Sequence, residues 1–222
     1  FPSFSFANFP FYPLSFPRDE GAHYKNVPYP YQQLTEWWYL NGKLTADDGK
    51  NLSYDIALFN AALGNGALTK PMLHLQIVDL DKKKVYGAAK DYAYNAGNLS
   101  TDTLDLVMDD NYSLHKSVIA GKEMYVLQAT GVADNATLKL NLMLEPKALP
   151  FLIHGDGLMP MPNDTNSYYY TIPHFDTTGT VTINDKTYQI NTNPGDSWMD
   201  HQWGDFRVRE NGWEWFSIRL KN

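Results

Sequence analysis

"DSWMDHQWGDF", residues 196–206, places three carboxylates, one imidazole and two indoles in eleven positions. A carboxylic acid desolvated by an apolar site can protonate an alkene, an imidazole can orient or deprotonate water, and indole faces stabilise a developing cation. If the stretch is a regular strand, Met199, His201 and Trp203 share one face and Trp198, Asp200 and Gln202 the other. His201 then sits beside Trp203, and Asp200 is the nearest acid but points away. In "TEWWY", Glu36 and Trp38 fall on one face and Trp37 and Tyr39 on the other. Tyr168 to Tyr170 and the pair Trp213 and Trp215 extend the aromatic inventory, which would line a cavity for a flat apolar ligand or pack against itself. The plain alternative is a core histidine bonded to a backbone carbonyl, with the indoles as filler.

Other chemistries find less support. His23, His74, His115, His154 and His174 lack ligand spacing, and Asp196, Asp200 and Asp205 lack the glycine and closing glutamate of a calcium loop, so neither a metal nor any cofactor is expected. Without cysteine there is no disulfide or thiolate chemistry. Glycine-rich phosphate cradles, G-x-S-x-G and H-E-x-x-H are missing as well. The net charge of −7 with no basic stripe argues against nucleic acid, and no run of apolar residues is long enough for a membrane span. The start at Phe1 and N-x-S/T triplets at Asn51, Asn98, Asn111, Asn135 and Asn163 suggest an exported protein, periplasmic or secreted.

The elements that must position these residues read as strands. From Glu36 onward, short segments rich in β-branched and aromatic residues alternate with turn signals such as "ADDGK", "GNG" and "ADN", and no helical period persists. The 222 residues, 43% of them apolar, suffice for a large all-β protein. The expected division is a proline- and aromatic-rich arm over 1–34, packed across the outside or mouth of a barrel, and a first antiparallel barrel over 35–145. A Pro- and Gly-rich linker follows over 146–166, then the opening strands of a second barrel over 167–222. Four or five strands do not close a barrel, so either they pair with the first unit or a missing C-terminal segment or second chain completes them.

Five blocks occur in one order: "FPRDEGAH" (16–23), "TEWWYLNGKL" (35–44), "SYYYTIPHFDTTGTVTI" (167–183), "SWMDHQWGDF" (197–206) and "GWEWFSIRL" (212–220). In them the chain resembles the carotenoid 1,2-hydratase and AttH-like family, and more distantly the kievitone hydratase and fungal Diels-Alderase types. The resemblance implies two lipocalin-like (calycin) barrels and action on an alkene of a hydrophobic small molecule of terpenoid, carotenoid or polyketide type. It places the family's His-x-Trp pair on His201 and Trp203, and a further Tyr and Asp of the hydratase site in a strand after Leu220. The "YYTIPHF" block departs from the Arg-containing version of bacterial hydratases. The expected site is therefore His201 and Asp200 as catalytic groups, with Trp203, Trp215, Tyr168, Tyr170, Trp38 and Glu36 around the ligand. Four readings stay open: a hydratase or isomerase, a carrier without chemistry, a pericyclase that works by shape, and a sugar-binding β-sandwich that uses exposed Trp and Tyr.

Overall fold

The computed structural model describes residues 11–25, 33–64, 66–133, 136–206 and 214–218. Thirteen strands form one antiparallel sheet. They are β1 (Gln33–Thr45), β2 (Asn51–Leu63), β3 (Leu68–Asp79), β4 (Lys84–Asp91), β5 (Asn98–Leu99), β6 (Asp105–Met108) and β7 (Tyr112–Ile119). After these come β8 (Lys122–Ala133), β9 (Ala136–Pro146), β10 (Phe151–Leu152), β11 (Leu158–Met161), β12 (Thr165–Ile183) and β13 (Lys186–Gly204). Among the described residues the only helical pieces are single 3-10 turns at Arg18–Glu20 and Ile153–Gly155. The all-β expectation holds, as a curled antiparallel half-barrel sheet.

Period-two patterning drives the curl. In β9, residues 136, 138, 140, 142 and 144 are buried while 137, 139, 141 and 143 are exposed, so one face of the strand is Ala136 and four leucines and the other Thr, Lys, Asn and Met. The apolar face turns inward along the whole sheet, from Leu73 and Leu75 in β3 to Leu106 and Met108 in β6. At the curled edge β4 packs on β8 through Gly131, where an added Cβ would lie 2.8 Å from the Ala88 Cβ. In β12, two register shifts, at Ile172/Phe175 and Thr177/Gly179, bend a 19-residue strand. Pro173 and Gly179 occupy them: proline brings no ladder donor, and Gly179 sits at φ 125° with its Cβ direction blocked by the Asn141 carbonyl.

The sheet order is β4-β3-β2-β1-β13-β12-β9-β8-β7-β6-β5, with β10 and β11 appended to β12. This corrects the division at 145 and 167. β12 and β13 do not open a second barrel; they are the centre of the single sheet, between β1 and β9, and without them the two halves of the 35–145 unit would share no ladder. Of the two outcomes left open, pairing with the first unit is the one observed. Over its described part the arm is mixed: Pro13 and Ser15 to Arg18 stay exposed, while Asp19, Glu20, Ala22 and His23 are buried against the inner face, and the Trp38 indole donates to the Glu20 carbonyl at 3.1 Å. Residues 1–10 and 26–32 of that arm lie outside the described set.

β1 lies close to β13 at Gly42, where a Cβ would stand 2.4 Å from Ser197 Oγ and 2.6 Å from the Tyr54 ring. Gly42→Ala is expected to lower the unfolding free energy by about 1–3 kcal/mol, read as a fall in the urea midpoint at unchanged m-value. The β1–β2 and β3–β4 turns are clasped by Asp81, which accepts from the Asn51 backbone and side-chain amides and pairs with Lys50. Those bonds hold its carboxyl down at about 2, against 3.8 unperturbed. Its contribution is therefore complete above the unfolded value and is lost as pH falls through the folded one. Asp81→Asn should flatten the pH dependence of the unfolding midpoint between about pH 4 and 2.

Candidate functional site

The two faces of β13 carry different chemistry, as the alternation predicts. On the inner face, neighbouring strands align Tyr168, Trp203, Glu36 and Asn60 in one cross-strand row and Tyr170, His201, Trp38 and Leu58 in the next. Glu36, Trp38, His201 and Trp203 have no solvent exposure. Glu36 is the hub. Its Oε2 accepts the His23 backbone N–H at 3.0 Å, and its Oε1 lies 2.7 Å from His23 Nδ1 and 3.0 Å from His201 Nε2. The outer ring nitrogens are engaged too: His23 Nε2 with Asp19 at 3.2 Å, His201 Nδ1 with the Tyr170 hydroxyl at 3.3 Å. Asp19 in turn accepts from Arg18 and from the Ser15 backbone. His23 stacks on Trp203 at 3.8 Å and 4°, and His201 on Trp38 at 4.6 Å and 23°.

Burial opposes every charge here, so each shift shows which partner wins. Desolvation would raise Glu36, but the attraction of His23 and the bonds from both imidazoles hold it below the usual carboxylate range. Desolvation would lower His23, yet two carboxylates, Glu36 and Asp19, hold its proton more tightly than water does. His201 has only the shared Glu36, and burial pushes it down to about 4, leaving it neutral. A second ion pair secures the same segment: Lys116 Nζ meets Glu20 at 2.9 Å, and the Tyr125 hydroxyl donates to the same carboxylate. The interior is thus a packed, largely neutralised polar cluster, with Glu36 of "EWWY" turned fully inward. His23, Glu36 and His201 are also the one set of convergent metal-type donors among the described residues, their ligand atoms all within 4.8 Å of one another.

On the outer face lies a cavity of about 750 Å³, walled by Trp37, Tyr39, Phe59, Met72 and Trp215 and reached by Asp200, Tyr169 and Gln202. Asp200 is 2% exposed. Its Oδ1 accepts from the Tyr169 hydroxyl and the Trp198 indole, each at 2.9 Å, and Trp215 Nε1 donates to the same Tyr169 oxygen at 3.2 Å. Its Oδ2 has no hydrogen-bond partner among the described residues. Burial, only partly answered by these bonds, holds the carboxyl above its ordinary range.

Of the residues singled out from sequence, Trp215 and Asp200 line the cavity, whereas Trp203, Tyr168, Tyr170, Trp38, Glu36 and His201 do not; they form the inner cluster. Asp200 and His201 are adjacent in sequence and separated by the sheet. Trp198 is more than packing, since it holds Asp200. His23 and Asp19 went unrecognised, although "RDEGAH" offered a signal: four ionisable residues within a proline-rich segment whose aromatics demand burial. Trp37, Tyr39 and Tyr169 were visible only as the opposite faces of chosen residues. Trp213 lies outside the described residues. Asp205 is spent on the Asn166 backbone N–H at 2.7 Å rather than on a calcium loop.

The two faces should respond differently to truncation. Trp203→Ala is expected to cost about 3–5 kcal/mol of stability, and Trp215→Ala, at a partly exposed position, less than about 1 kcal/mol. Urea unfolding of both variants measures the contrast.

No functionally curated protein matches the sequence. Among solved structures, an AttH protein from Nitrosomonas europaea superposes with a TM-score of 0.69 at 23% identity, over 90% of this chain and 58% of that one. Kievitone hydratase from Nectria haematococca superposes at 0.58 and 14% identity, over 76% of this chain and 47% of that one. CghA, solved with Sch210972, reaches 0.42 at 11%, over 78% and 46%. The chain thus spans about half of these proteins' length, and the first two likenesses establish the shared fold. The AttH-like family profile matches residues 8–222, the whole of the sheet and its inward segment, and the chain belongs to the AttH-like family.

Proposed function

We propose that the protein catalyses hydration or isomerisation of an alkene in a hydrophobic small molecule held in the outer-face cavity, with Asp200 as the proton donor. The observation that carries this reading is the Asp200 carboxyl. One oxygen is fixed by Tyr169 and Trp198, and the other is buried without a partner in a cavity walled by aromatic rings. A neutral carboxyl in that setting presents its acidic hydrogen on Oδ2, because Oδ1 already accepts two donors. The alkene π pair takes this proton, the O–H bond breaks toward the carboxylate, and a carbocation forms. The faces of Trp37, Tyr39 and Trp215 stabilise it. Water then adds, and its surplus proton returns to Asp200; loss of a neighbouring C–H proton instead gives the isomer. Tyr169 and Trp198 stabilise the intermediate carboxylate by the same bonds that orient the acid.

The family supports a hydratase or cyclase-like role, and kievitone hydratase is among the similar folds. His201, expected as the water-orienting group, has no route to this cavity through the sheet, so in this reading it acts on stability. The carrier reading shares the cavity and differs in needing no acid.

The two are separated by incubating purified protein with a panel of terpenoid and polyketide-derived alkenes in heavy-oxygen water. Labelled alcohol is expected from at least one of them. Asp200→Asn should reduce its formation by about 10²-fold or more while the substrate still binds, and Trp215→Ala should weaken binding. A bound ligand that wild type leaves unlabelled and unchanged would leave the carrier, and full turnover in Asp200→Asn would remove Asp200 as the proton donor.

A further inference from the structure

The inner cluster, on the other side of the sheet from Asp200, has the layout of a metal centre. We propose that His23, Glu36 and His201 bind one divalent transition-metal ion of the zinc, cobalt and iron group inside the half-barrel.

Three observations converge. The first is the donor set. Two imidazole nitrogens, His23 Nδ1 and His201 Nε2, converge on Glu36 Oε1 at 2.7 and 3.0 Å, and all three groups are buried. Donors around an ion with bonds of about 2.0–2.2 Å stand about 3 Å or slightly more apart, so small side-chain shifts suffice. Two imidazoles with one carboxylate select a transition metal over magnesium or calcium, which take oxygen. The second is the support behind the donors. A metal-bound histidine holds its other ring nitrogen with an outer partner, and both do so here: His23 with Asp19, which Arg18 and Ser15 secure, and His201 with the Tyr170 hydroxyl. Glu36 is fixed in turn through Oε2 by the His23 backbone N–H, leaving Oε1 for the centre.

The third is independent of the triad. Asn60 stands directly across from Glu36 in the sheet, fully buried, and neither its amide nitrogen nor its oxygen has a hydrogen-bond partner among the described residues. Buried polar groups are rarely left so, because each costs about 1–3 kcal/mol. The Trp203 indole N–H, in the same cross-strand row, is also unpartnered. An ion carrying a water ligand would supply the acceptor and donor this row lacks. The ion takes the place of the proton now shared between His23 and Glu36. It also ties the inward segment to β1 and β13 through three coordinate bonds, so its effect is read as stability and as metal content, independently of any turnover at Asp200.

The test uses the untagged chain, stripped with chelator, incubated separately with Zn²⁺, Co²⁺, Mn²⁺ and Mg²⁺, desalted and analysed for metal. Wild type is expected to retain about one Zn²⁺ or Co²⁺ per chain, with the thermal midpoint raised by about 5 °C or more, and visible absorption of bound Co²⁺ should appear. Glu36→Gln and His23→Gln should lose the retained ion and the shift, while His174→Ala, an exposed histidine, should keep both. The two variants lie on different elements, so if one fails to fold the other reads the site. Wild type that retains no ion overturns the proposal. So does an ion kept by a folded Glu36→Gln or His23→Gln chain, or one lost in His174→Ala.

Discussion

A carboxylate removed from water must be answered by donors and positive charge, and Glu36 is answered from both directions along the chain: by His23 thirteen residues before it and His201 165 residues after it. Those two bonds join the inward segment, β1 and β13. The segment's second anchor, Glu20 with Lys116 and Tyr125, reaches across to β7 and β8. The half-barrel is therefore closed inside by polar contacts where a small enclosed barrel would have only side-chain packing. The aromatic stacks of His23 on Trp203 and of His201 on Trp38 shield these bonds from water and so strengthen them.

The same sheet separates this cluster from the candidate chemistry. β13 alternates a hydrogen-bonded, locked interior with an outer face on which Asp200 is short of one partner and faces an open aromatic cavity. Family resemblance points to His201 and Trp203, whereas the adjoining cavity and the incomplete bonding of Asp200 point one residue away. The physical difference is access: His201 and Trp203 are sealed by the 11–25 segment, and a substrate cannot meet a group that no cavity reaches.

The faces of β1 and β13 were legible in the sequence because a two-residue period needs no knowledge of partners: Glu36 with Trp38, and His201 with Trp203, fall together on any strand. The all-β class was legible for the same reason. The sheet order was not. "SWMDHQWGDF" meets "EWWYLNGKL" only after more than 140 residues of intervening strands, and nothing local distinguishes a strand returning to the centre of an old sheet from one founding a new barrel. The inward turn of the arm was not legible either. Over 11–25 there is no strand and only one 3-10 turn, and a segment without its own ladder can enter an interior when its polar groups find partners there, as Asp19, Glu20 and His23 do. Asp200 was noticed as an acid and placed on the correct face; that the outer face holds a cavity depended on Phe59 and Met72 from β2 and β3, and on Trp215.

A buried charge network costs desolvation that a well-packed apolar core would avoid, so its retention calls for a reason besides stability. Register supplies one. Moving β13 by a single residue against β1 would turn Asp200 inward toward Glu36 and carry His201 and Trp203 outward. Two carboxylates would then face each other without water, while the indole that stacks on His23 would be lost. The apolar residues impose a weaker penalty on that slip, since Met199 and Trp198 differ less in the interior than an imidazole and a carboxylate do. The Glu36 and His201 pair thus fixes which face of β13 is inside. In doing so it turns Asp200 and Trp198 to the outer face, where Tyr169 of the neighbouring β12 meets the same Asp200 oxygen at the cavity.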